Sequence, residues 1–186
     1  MPTYVALLRG VNVGKAKRVP MAELRILLTA LGYGDVQTLL NSGNAIFEST
    51  TRSTPAHAHR IEAALAESFG IKTHVIVKSA ADLAAICAEN ELAAVVTDPS
   101  RLLVAFTASA GDLCSLATLK PLTRPPEKFL LGQHAAYLWC PNGILESRAA
   151  EALLGKAGRV ATSTSGDAVV RAAPRLAVRS GMARSK

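Results

Sequence analysis

The chain has 186 residues, of which 49% are hydrophobic and 19% are charged, and its formal net charge at pH 7 is +7. A chain of this length buries roughly 70% of its unfolded surface, and this composition excludes a disordered protein. No apolar run approaches the ~20 residues that a membrane span requires, so we expect a globular protein with no membrane partner.

The first residues lack the charged, apolar and small-residue order of a signal peptide, which predicts a cytoplasmic protein. The three cysteines show no C-x-x-C spacing, so we expect neither a disulfide framework nor a zinc site. Cys87 and Cys114 fall in apolar helical patterns and are expected in the core. Cys140 ends a predicted strand and is expected near the surface.

Basic residues are concentrated at the two ends of the chain. Residues 1–25 hold five basic groups and one acidic group, and residues 148–186 hold eight basic and two acidic groups. Such clusters indicate attraction to phosphates or nucleic acid. Basic tails are also common without a function, and we interpret residues 179–186 as a disordered tail. The N-terminal cluster we interpret as functional.

The first half of the chain shows the predicted element order βαββαβ. Tyr4–Leu8 is an apolar strand, and Pro20 opens a helix at its first turn. Further predicted elements are the strands Val36–Leu40, Ala45–Glu48 and Thr73–Val77, and a helix that Thr54 caps and Gly70 ends.

The second half repeats this order after a connecting helix and a linker at 98–100. The segment Ser79-Ala-Ala-Asp82 is a capping box, with Asp in place of Glu, that begins the connecting helix. The predicted elements are a strand Leu102–Thr107, a helix from Ser109, hairpin strands Lys128–Leu131 and Ala135–Cys140, a helix Ser147–Leu154, a strand Arg159–Ser163, and a last helix from Asp167 that Pro174 interrupts.

These patterns predict an α+β fold of two tandem ferredoxin-like (α-β plait) units with mainly antiparallel sheets. We assign residues 1–78 to the N-terminal unit, 79–100 to the connecting segment, 101–178 to the C-terminal unit and 179–186 to the tail. In such a unit the first two strands run in the same direction. The loop after the first strand, Arg9–Lys15, should therefore lie beside the hairpin Asn41–Asn44.

These two segments are the candidate site, because glycines expose backbone N–H groups while amides and cations suit a phosphate or carboxylate. The predicted ligand-binding residues are Arg9, Gly10, Asn12, Gly14, Lys15, Asn41, Ser42 and Asn44. The loop is not a Walker A motif, because Gly10 to Lys15 is one residue short and Ala16 replaces the magnesium-binding Ser or Thr. In the alternative interpretation, these glycines and asparagines only satisfy the loop backbone.

Other side chains give weaker signals. Ser42 lacks a G-x-S-x-G context, and His57 and His59 do not share a helix face, so we expect no metal site. His134 lies in a predicted hairpin turn where nothing in the sequence positions it. No carboxylate pair stands out, and the aromatic motif of RNA-binding plaits is missing. Catalytic residues and a cofactor are therefore not assigned.

The segments Arg9-Gly-Val-Asn-Val-Gly14, Val19-Pro-Met-Ala-Glu-Leu24 and Leu40-Asn-Ser-Gly-Asn44 closely resemble the opening of the bacterial family called domain of unknown function 1697 (DUF1697). The resemblance extends over nearly the whole chain and is specific in the first 48 residues. It implies two ferredoxin-like units but no activity.

Two departures from the family pattern stand out. The family usually has two glycines where this chain has Gly14-Lys15, and Thr162-Ser-Thr-Ser-Gly-Asp167 lacks the Arg, Asn and Trp of the family's Thr-x-Arg-Asn-Trp segment. If that segment supplies part of a family site, this chain has lost or changed it.

Three functions are consistent with the sequence. The preferred hypothesis is a protein that binds a phosphate- or carboxylate-bearing small molecule or nucleotide at the candidate site. One alternative is a nucleic-acid-binding module that uses the N-terminal loop and the C-terminal tail. The other is an enzyme of unknown reaction that uses the same pocket.

Overall fold

The computed structural model describes residues 1–12, 17–39 and 43–179. The chain divides into two compact units, one formed by Met1–Leu83 with the chain from Ala172, and one formed by Ala84–Arg171. Each unit contains a four-stranded antiparallel sheet and helices, which gives a mixed α+β architecture. Among the described residues, no helix is long and apolar enough to cross a membrane.

The sheet of the first unit has the strand order β2-β3-β1-β4. Its elements are β1 (Thr3–Leu8), α1 (Met21–Ala30), β2 (Gly34–Leu39), β3 (Asn44–Glu48), α2 (Thr54–Phe69) and β4 (Val75–Ser79). The central strand β1 pairs antiparallel with both neighbours, so that Leu7 lies opposite Asn44 and Leu8 opposite Val75. The C-terminal end of β1 therefore meets the N-terminal ends of β3 and β4 at one edge of the sheet.

The helices of this unit begin at positions close to those predicted. The side chain of Ser53, not Thr54, caps α2 by accepting a hydrogen bond from the Ala56 N–H group, and Gly70 ends the helix at φ 63°. Pro20 precedes α1 as its extended N-cap residue, one position before the predicted first turn. Both helices pack buried leucines against β1, whose six residues are all buried.

The second unit has the strand order β6-β7-β5-β8. Its strands are β5 (Leu102–Thr107), β6 (Lys128–Leu131), β7 (Ala136–Trp139) and β8 (Ala161–Ser165). Its helices are α4 (Ala110–Ser115), continued by a 3₁₀ segment Leu116–Leu122, and α5 (Arg148–Leu154). The helix α3 (Ala80–Glu89) precedes this unit's sheet, and α6 (Gly166–Arg179) follows it.

The predicted capping box of α3 is confirmed. Ser79 Oγ accepts from the Asp82 N–H group at 3.1 Å, and Asp82 Oδ2 accepts from the Ser79 N–H group at 2.9 Å. An aspartate at this position therefore performs the reciprocal role that glutamate usually has.

The structure corrects two expectations for the last helix and the last strand. Pro174 lies inside α6 and does not end it, because the helix continues to Arg179. The last strand begins at Ala161, two residues later than predicted, after a turn in which the Ala161 N–H group bonds the Gly158 carbonyl.

The predicted environments of two cysteines are wrong. Cys140 is fully buried, because its N–H group bonds the Arg101 carbonyl at 2.9 Å and draws the chain after β7 into the core. Cys114 is exposed, because α4 has only six residues and turns Leu113 inward instead. Burial raises the pKa of the Cys140 thiol.

Candidate functional site

The residues that follow β1 are tied to the segment that precedes β4. The Arg9 N–H group donates to the His74 carbonyl at 2.9 Å, and the Thr73 hydroxyl donates to the Arg9 carbonyl. These contacts continue the β1–β4 pairing beyond its last residue pair, Leu8 with Val75. They fix the backbone at the point where the Arg9 side chain leaves the sheet.

An open hollow of about 440 Å³ lies at this edge of the sheet. It is bounded by the β1 loop, α2 and the α2–β4 connection. Its lining residues are Arg9, Gly10, Lys17, Glu62, Lys72, Thr73 and His74. We call this feature the β1-edge hollow.

The β1-edge hollow carries an excess of positive charge. Arg9, Lys17 and Lys72 are basic residues, and Glu62 is the one carboxylate among its lining residues. Burial lowers the pKa of the Arg9 guanidinium, but an arginine remains protonated at any physiological pH. The electrostatic field in the hollow therefore attracts anions.

The Glu62 carboxylate is already occupied by donors of its own unit. Its Oε1 atom accepts from the Val75 N–H group at 2.8 Å and from His74 Nδ1 at 3.1 Å. Because a carboxylate only accepts, the contact places a proton on His74 Nδ1 and directs Nε2 away from Glu62. Glu62 therefore orients the imidazole, and its one negative charge is outnumbered by the three cations among the lining residues.

Asn12 closes the loop that carries Lys17 to the hollow. Its side chain exchanges two hydrogen bonds with the Val19 backbone, at 2.8 and 2.9 Å, and its N–H group bonds the Lys17 carbonyl. Asn12 and Lys17 both adopt left-handed conformations, at φ 57° and 51°. The side chain thus performs the backbone-satisfying role that the alternative interpretation gave it, and its direct ligand contact stays a prediction.

The expected proximity of the two motif segments is confirmed for their described residues. The Leu8 N–H group donates to the Gly43 carbonyl at 3.3 Å, and a Cβ atom placed on Gly43 would lie 2.1 Å from Val11 Cγ2. Gly43, at φ 79°, allows this contact because it has no side chain. Asn44 opens β3 and is 3% exposed.

Four predicted site residues, Gly14, Lys15, Asn41 and Ser42, lie outside the described residues. Among the others, Arg9 and Gly10 line the β1-edge hollow, whereas Asn12 and Asn44 are not among its lining residues.

Sequence reasoning missed the contribution of the α2–β4 connection. Lys72, Thr73 and His74 precede β4, which runs antiparallel to β1 and begins at the end where β1 finishes. The strand-direction reasoning that placed β3 beside the first loop applies equally to β4. The signal was thus available in the predicted topology.

The sequence that forms this site matches a known protein family. The family model "Protein of unknown function (DUF1697)" matches residues 1–137. The chain belongs to this family. The match includes all residues of the β1-edge hollow and ends before Thr162–Asp167, the segment that departs from the family pattern.

The DUF1697 chain is also similar to a solved structure, that of the conserved bacterial protein SP0830 from Streptococcus pneumoniae. The two share 26% sequence identity with a TM-score of 0.76, over 94% of this chain and 98% of the other. No curated protein matches the chain. The comparisons establish the family and the two-sheet architecture and name no activity.

The second unit contains a polar cluster that the sequence did not reveal. Glu89, the last residue of α3, accepts hydrogen bonds from the backbone N–H groups of Gln133, His134 and Ala135 and from His134 Nδ1, at 2.9 to 3.2 Å. His134 is therefore positioned by a carboxylate, contrary to the expectation from the sequence. The two residues are 45 positions apart, so no local pattern could link them.

The Tyr137 hydroxyl completes this cluster at 2.8 Å from Glu89 Oε1. Burial alone would raise the pKa of Glu89, but the hydrogen bonds from His134 and Tyr137 outweigh it and hold that pKa below its ordinary value. Burial and the neighbouring carboxylate raise the pKa of Tyr137. The carboxylate is therefore an ionised anchor that fixes the β6–β7 turn to α3.

Proposed function

We propose that the N-terminal unit binds a small molecule bearing a phosphate or carboxylate group, such as a nucleotide, in the β1-edge hollow. The observation that carries this proposal is the convergence of Arg9, Lys17 and Lys72 around one hollow whose single carboxylate is engaged by His74 and the Val75 N–H group. Three cations around one hollow raise the positive potential there, which attracts an anion.

The residues of the hollow have different tasks in this proposal. The planar guanidinium of Arg9 suits a two-pronged contact with phosphate or carboxylate oxygens, and the flexible lysines act as point charges. Gly10 is exposed at φ 62°, and space is open where its Cβ atom would lie, so a ligand can approach the backbone closely. A volume of about 440 Å³ falls within the range of small-molecule sites.

The predicted site residues beyond the hollow belong to the same proposal. Asn12 holds the loop, and Gly14, Lys15, Asn41, Ser42 and Asn44 would extend the site toward the β2–β3 hairpin. Their contact with the ligand stays a prediction.

An enzyme that uses the same hollow is the second candidate. His74 Nδ1 lies 3.1 Å from Glu62 Oε1, a contact that orients the imidazole, and in this candidate Nε2 would accept a proton from the substrate. His74 would then be the general base that no sequence pattern indicated.

A ligand screen by thermal shift tests the binding proposal. Phosphate, nucleotides, sugar phosphates and organic acids are compared with neutral analogues, because a ligand at 100 times its Kd stabilises the folded state by about 2.7 kcal/mol. Lys72→Ala should abolish most of the shift, whereas Lys156→Ala, an exposed lysine of the other unit, should preserve it. Equal shifts with neutral analogues, or equal loss in both variants, would reject the proposal.

The salt dependence of the affinity distinguishes the nucleic-acid alternative from the small-molecule proposal. A strand that contacts several cations releases several counterions, so its affinity falls steeply with salt for any sequence. Equal affinities for a mononucleotide and an oligonucleotide would support the small-molecule site. A much tighter, salt-sensitive oligonucleotide complex supports the alternative.

We also propose that each unit is a ferredoxin-like plait and that the chain is a tandem duplication. The element order βαββαβ in each unit, with the first strand between the third and fourth, supports this assignment. The borders 1–78, 79–100, 101–178 and 179–186, and a cytoplasmic location, stay predictions.

A further inference from the structure

The β1-edge hollow has a second recognition element besides its cations, the carboxylate of Glu62. The Glu62 side chain lines the hollow and is 27% exposed. Its Oε1 atom accepts from the Val75 N–H group and from His74 Nδ1, which occupies two of the roughly four lone-pair positions of a carboxylate. His59 Nδ1 lies 3.7 Å from Oε2, beyond hydrogen-bond distance. The carboxylate therefore retains the capacity to accept a hydrogen bond from a molecule in the hollow.

The charges of the lining residues do not cancel. The ion-pair contacts of Glu62 are to His59 and His74, and neither Lys17 nor Lys72 forms an ion pair within the described part of the chain. Three basic residues and one carboxylate leave a net charge of +2 in the hollow. A phosphate monoester carries a charge of about −1.5 to −2 at pH 7, which matches this excess better than the single charge of a carboxylate does.

The rest of the wall is also polar. None of the described lining residues is an aliphatic or aromatic hydrocarbon residue. Pockets that hold apolar groups, such as the flat faces of nucleobases, are lined mainly by hydrophobic and aromatic side chains. The part of the ligand that adjoins its phosphate in this hollow should therefore be polar and carry hydrogen-bond donors.

We propose that the ligand is a phosphorylated polyol such as a sugar phosphate, whose phosphate binds among Arg9, Lys17 and Lys72 and whose hydroxyl donates to the Glu62 carboxylate. This inference rests on the proposed function of the hollow and narrows the class of its ligand. A hydroxyl group suits Glu62 better than an ammonium group does, because the three cations repel an ammonium group in the same hollow. A nucleotide would bind through its sugar and phosphate alone.

Ribose 5-phosphate and cyclopentylmethyl phosphate are the matched probes, because both carry a phosphate monoester on a ring of the same size and only the first has hydroxyl groups. Each is titrated into the full ¹⁵N-labelled chain, and the amide shifts of Gly10, Thr73 and His74 give the affinity. Ribose 5-phosphate should bind about 10-fold more tightly, the gain from one hydrogen bond to a charged group. Adenosine monophosphate should bind no more tightly than ribose 5-phosphate.

Glu62→Gln tests the hydroxyl contact. Its amide oxygen can still accept from the Val75 N–H group, but the side chain loses its negative charge and one acceptor oxygen. The variant should lose most of the preference for ribose 5-phosphate, and cyclopentylmethyl phosphate should bind at least as tightly as before, because a negative charge has left the cationic hollow. Lys72→Ala should instead weaken both phosphates by the same factor and keep the preference.

The outcomes separate this inference from the anion site itself. Equal affinities for the two phosphates, both weakened by Lys72→Ala, would overturn the polyol assignment and leave the anion site intact. Failure of both phosphates to shift the three amides would reject the anion site and the polyol assignment together. Much tighter binding of adenosine monophosphate, or an unchanged preference in a folded Glu62→Gln chain, would also overturn the assignment. If Glu62→Gln does not fold, the two phosphates compared on the native chain decide alone.

Discussion

Gly132 and Glu89 lie so close together that a Cβ atom on Gly132 would be 2.4 Å from Glu89 Oε1. No side chain fits between them, because the same carboxylate receives the next three backbone N–H groups of the turn. The glycine and the glutamate therefore form one structural unit, in which the anchor of the β6–β7 turn requires a residue without a side chain.

Gly132→Ala should destabilise the second unit by about 1–3 kcal/mol, the usual cost of overpacking a fixed contact. The measurement is urea unfolding followed by the fluorescence of Trp139, the single tryptophan of the chain. Gly111→Ala is the control, because its Cβ atom would meet only Ser109 Oγ at 3.8 Å within α4. We expect that variant to be neutral or stabilised by about 0.5–1 kcal/mol. Identical midpoints for both variants would disprove the anchor.

Glu89→Gln should make the second unit less sensitive to acid. The lowered folded-state pKa of Glu89 means that its contribution to stability is fully present above the unfolded value of 4.5 and is lost as the pH falls through the folded value. At pH 7 the free energy of unfolding of the variant should be lower by at least about 1.5–3 kcal/mol, the contribution of one hydrogen bond to a charged group. Trp139 fluorescence from pH 7 to pH 3 measures both effects. Parallel stability profiles for the variant and the native chain would show that Glu89 contributes nothing to the acid transition.

Tyr33→Phe should destabilise the first unit. His57 is 3% exposed, and because its Nε2 atom lies 3.0 Å from the Thr51 carbonyl, Nε2 carries the proton and Nδ1 accepts from the Tyr33 hydroxyl. Loss of that hydroxyl leaves a buried acceptor unsatisfied, at a cost of about 1–3 kcal/mol. Unfolding followed by circular dichroism measures the change.

Tyr4→Phe is the matched control for this prediction. The Tyr4 hydroxyl also donates to the Thr51 carbonyl, at 3.0 Å, so its removal leaves that carbonyl bonded to His57. The control should cost less than Tyr33→Phe. The reverse order would contradict the tautomer assignment.

Two substitutions at Asn12 separate its backbone role from its side-chain role. Asn12→Gly adopts the left-handed conformation readily but loses the two hydrogen bonds to Val19. Asn12→Ala loses the same hydrogen bonds and also has to adopt the left-handed backbone conformation, which costs a residue with a side chain about 1–2 kcal/mol. We therefore expect Asn12→Ala to be the less stable in thermal denaturation. Native-like stability of both variants would show that the loop does not depend on Asn12.

Strand direction made much of the fold predictable. The contact between Gly43 and Val11 follows from the parallel course of β1 and β2, and the Ser79 capping box follows from local chemistry. The same reasoning, applied to β4, would have placed Lys72 and His74 beside Arg9. Contacts between distant residues, such as Glu89 with His134, could not be predicted, because only tertiary packing brings them together.

Local patterns also failed where the geometry of a short element decides exposure. Cys114 was expected in the core from its apolar neighbours, but α4 turns it to solvent, and Cys140 is drawn inward by its bond to Arg101. Periodicity averages over several helical turns, and α4 has fewer than two.

A titration of inorganic pyrophosphate, followed by ¹⁵N NMR in 50 mM salt, tests the β1-edge hollow most directly. We predict saturable shifts that centre on Gly10, Thr73 and His74. Lys72→Glu should weaken binding at least about 10-fold, since a charge-assisted contact contributes about 1.5–3 kcal/mol, and Lys156→Glu should leave it unchanged. Shifts scattered over both units, or equal weakening by the two substitutions, would contradict a specific anion site.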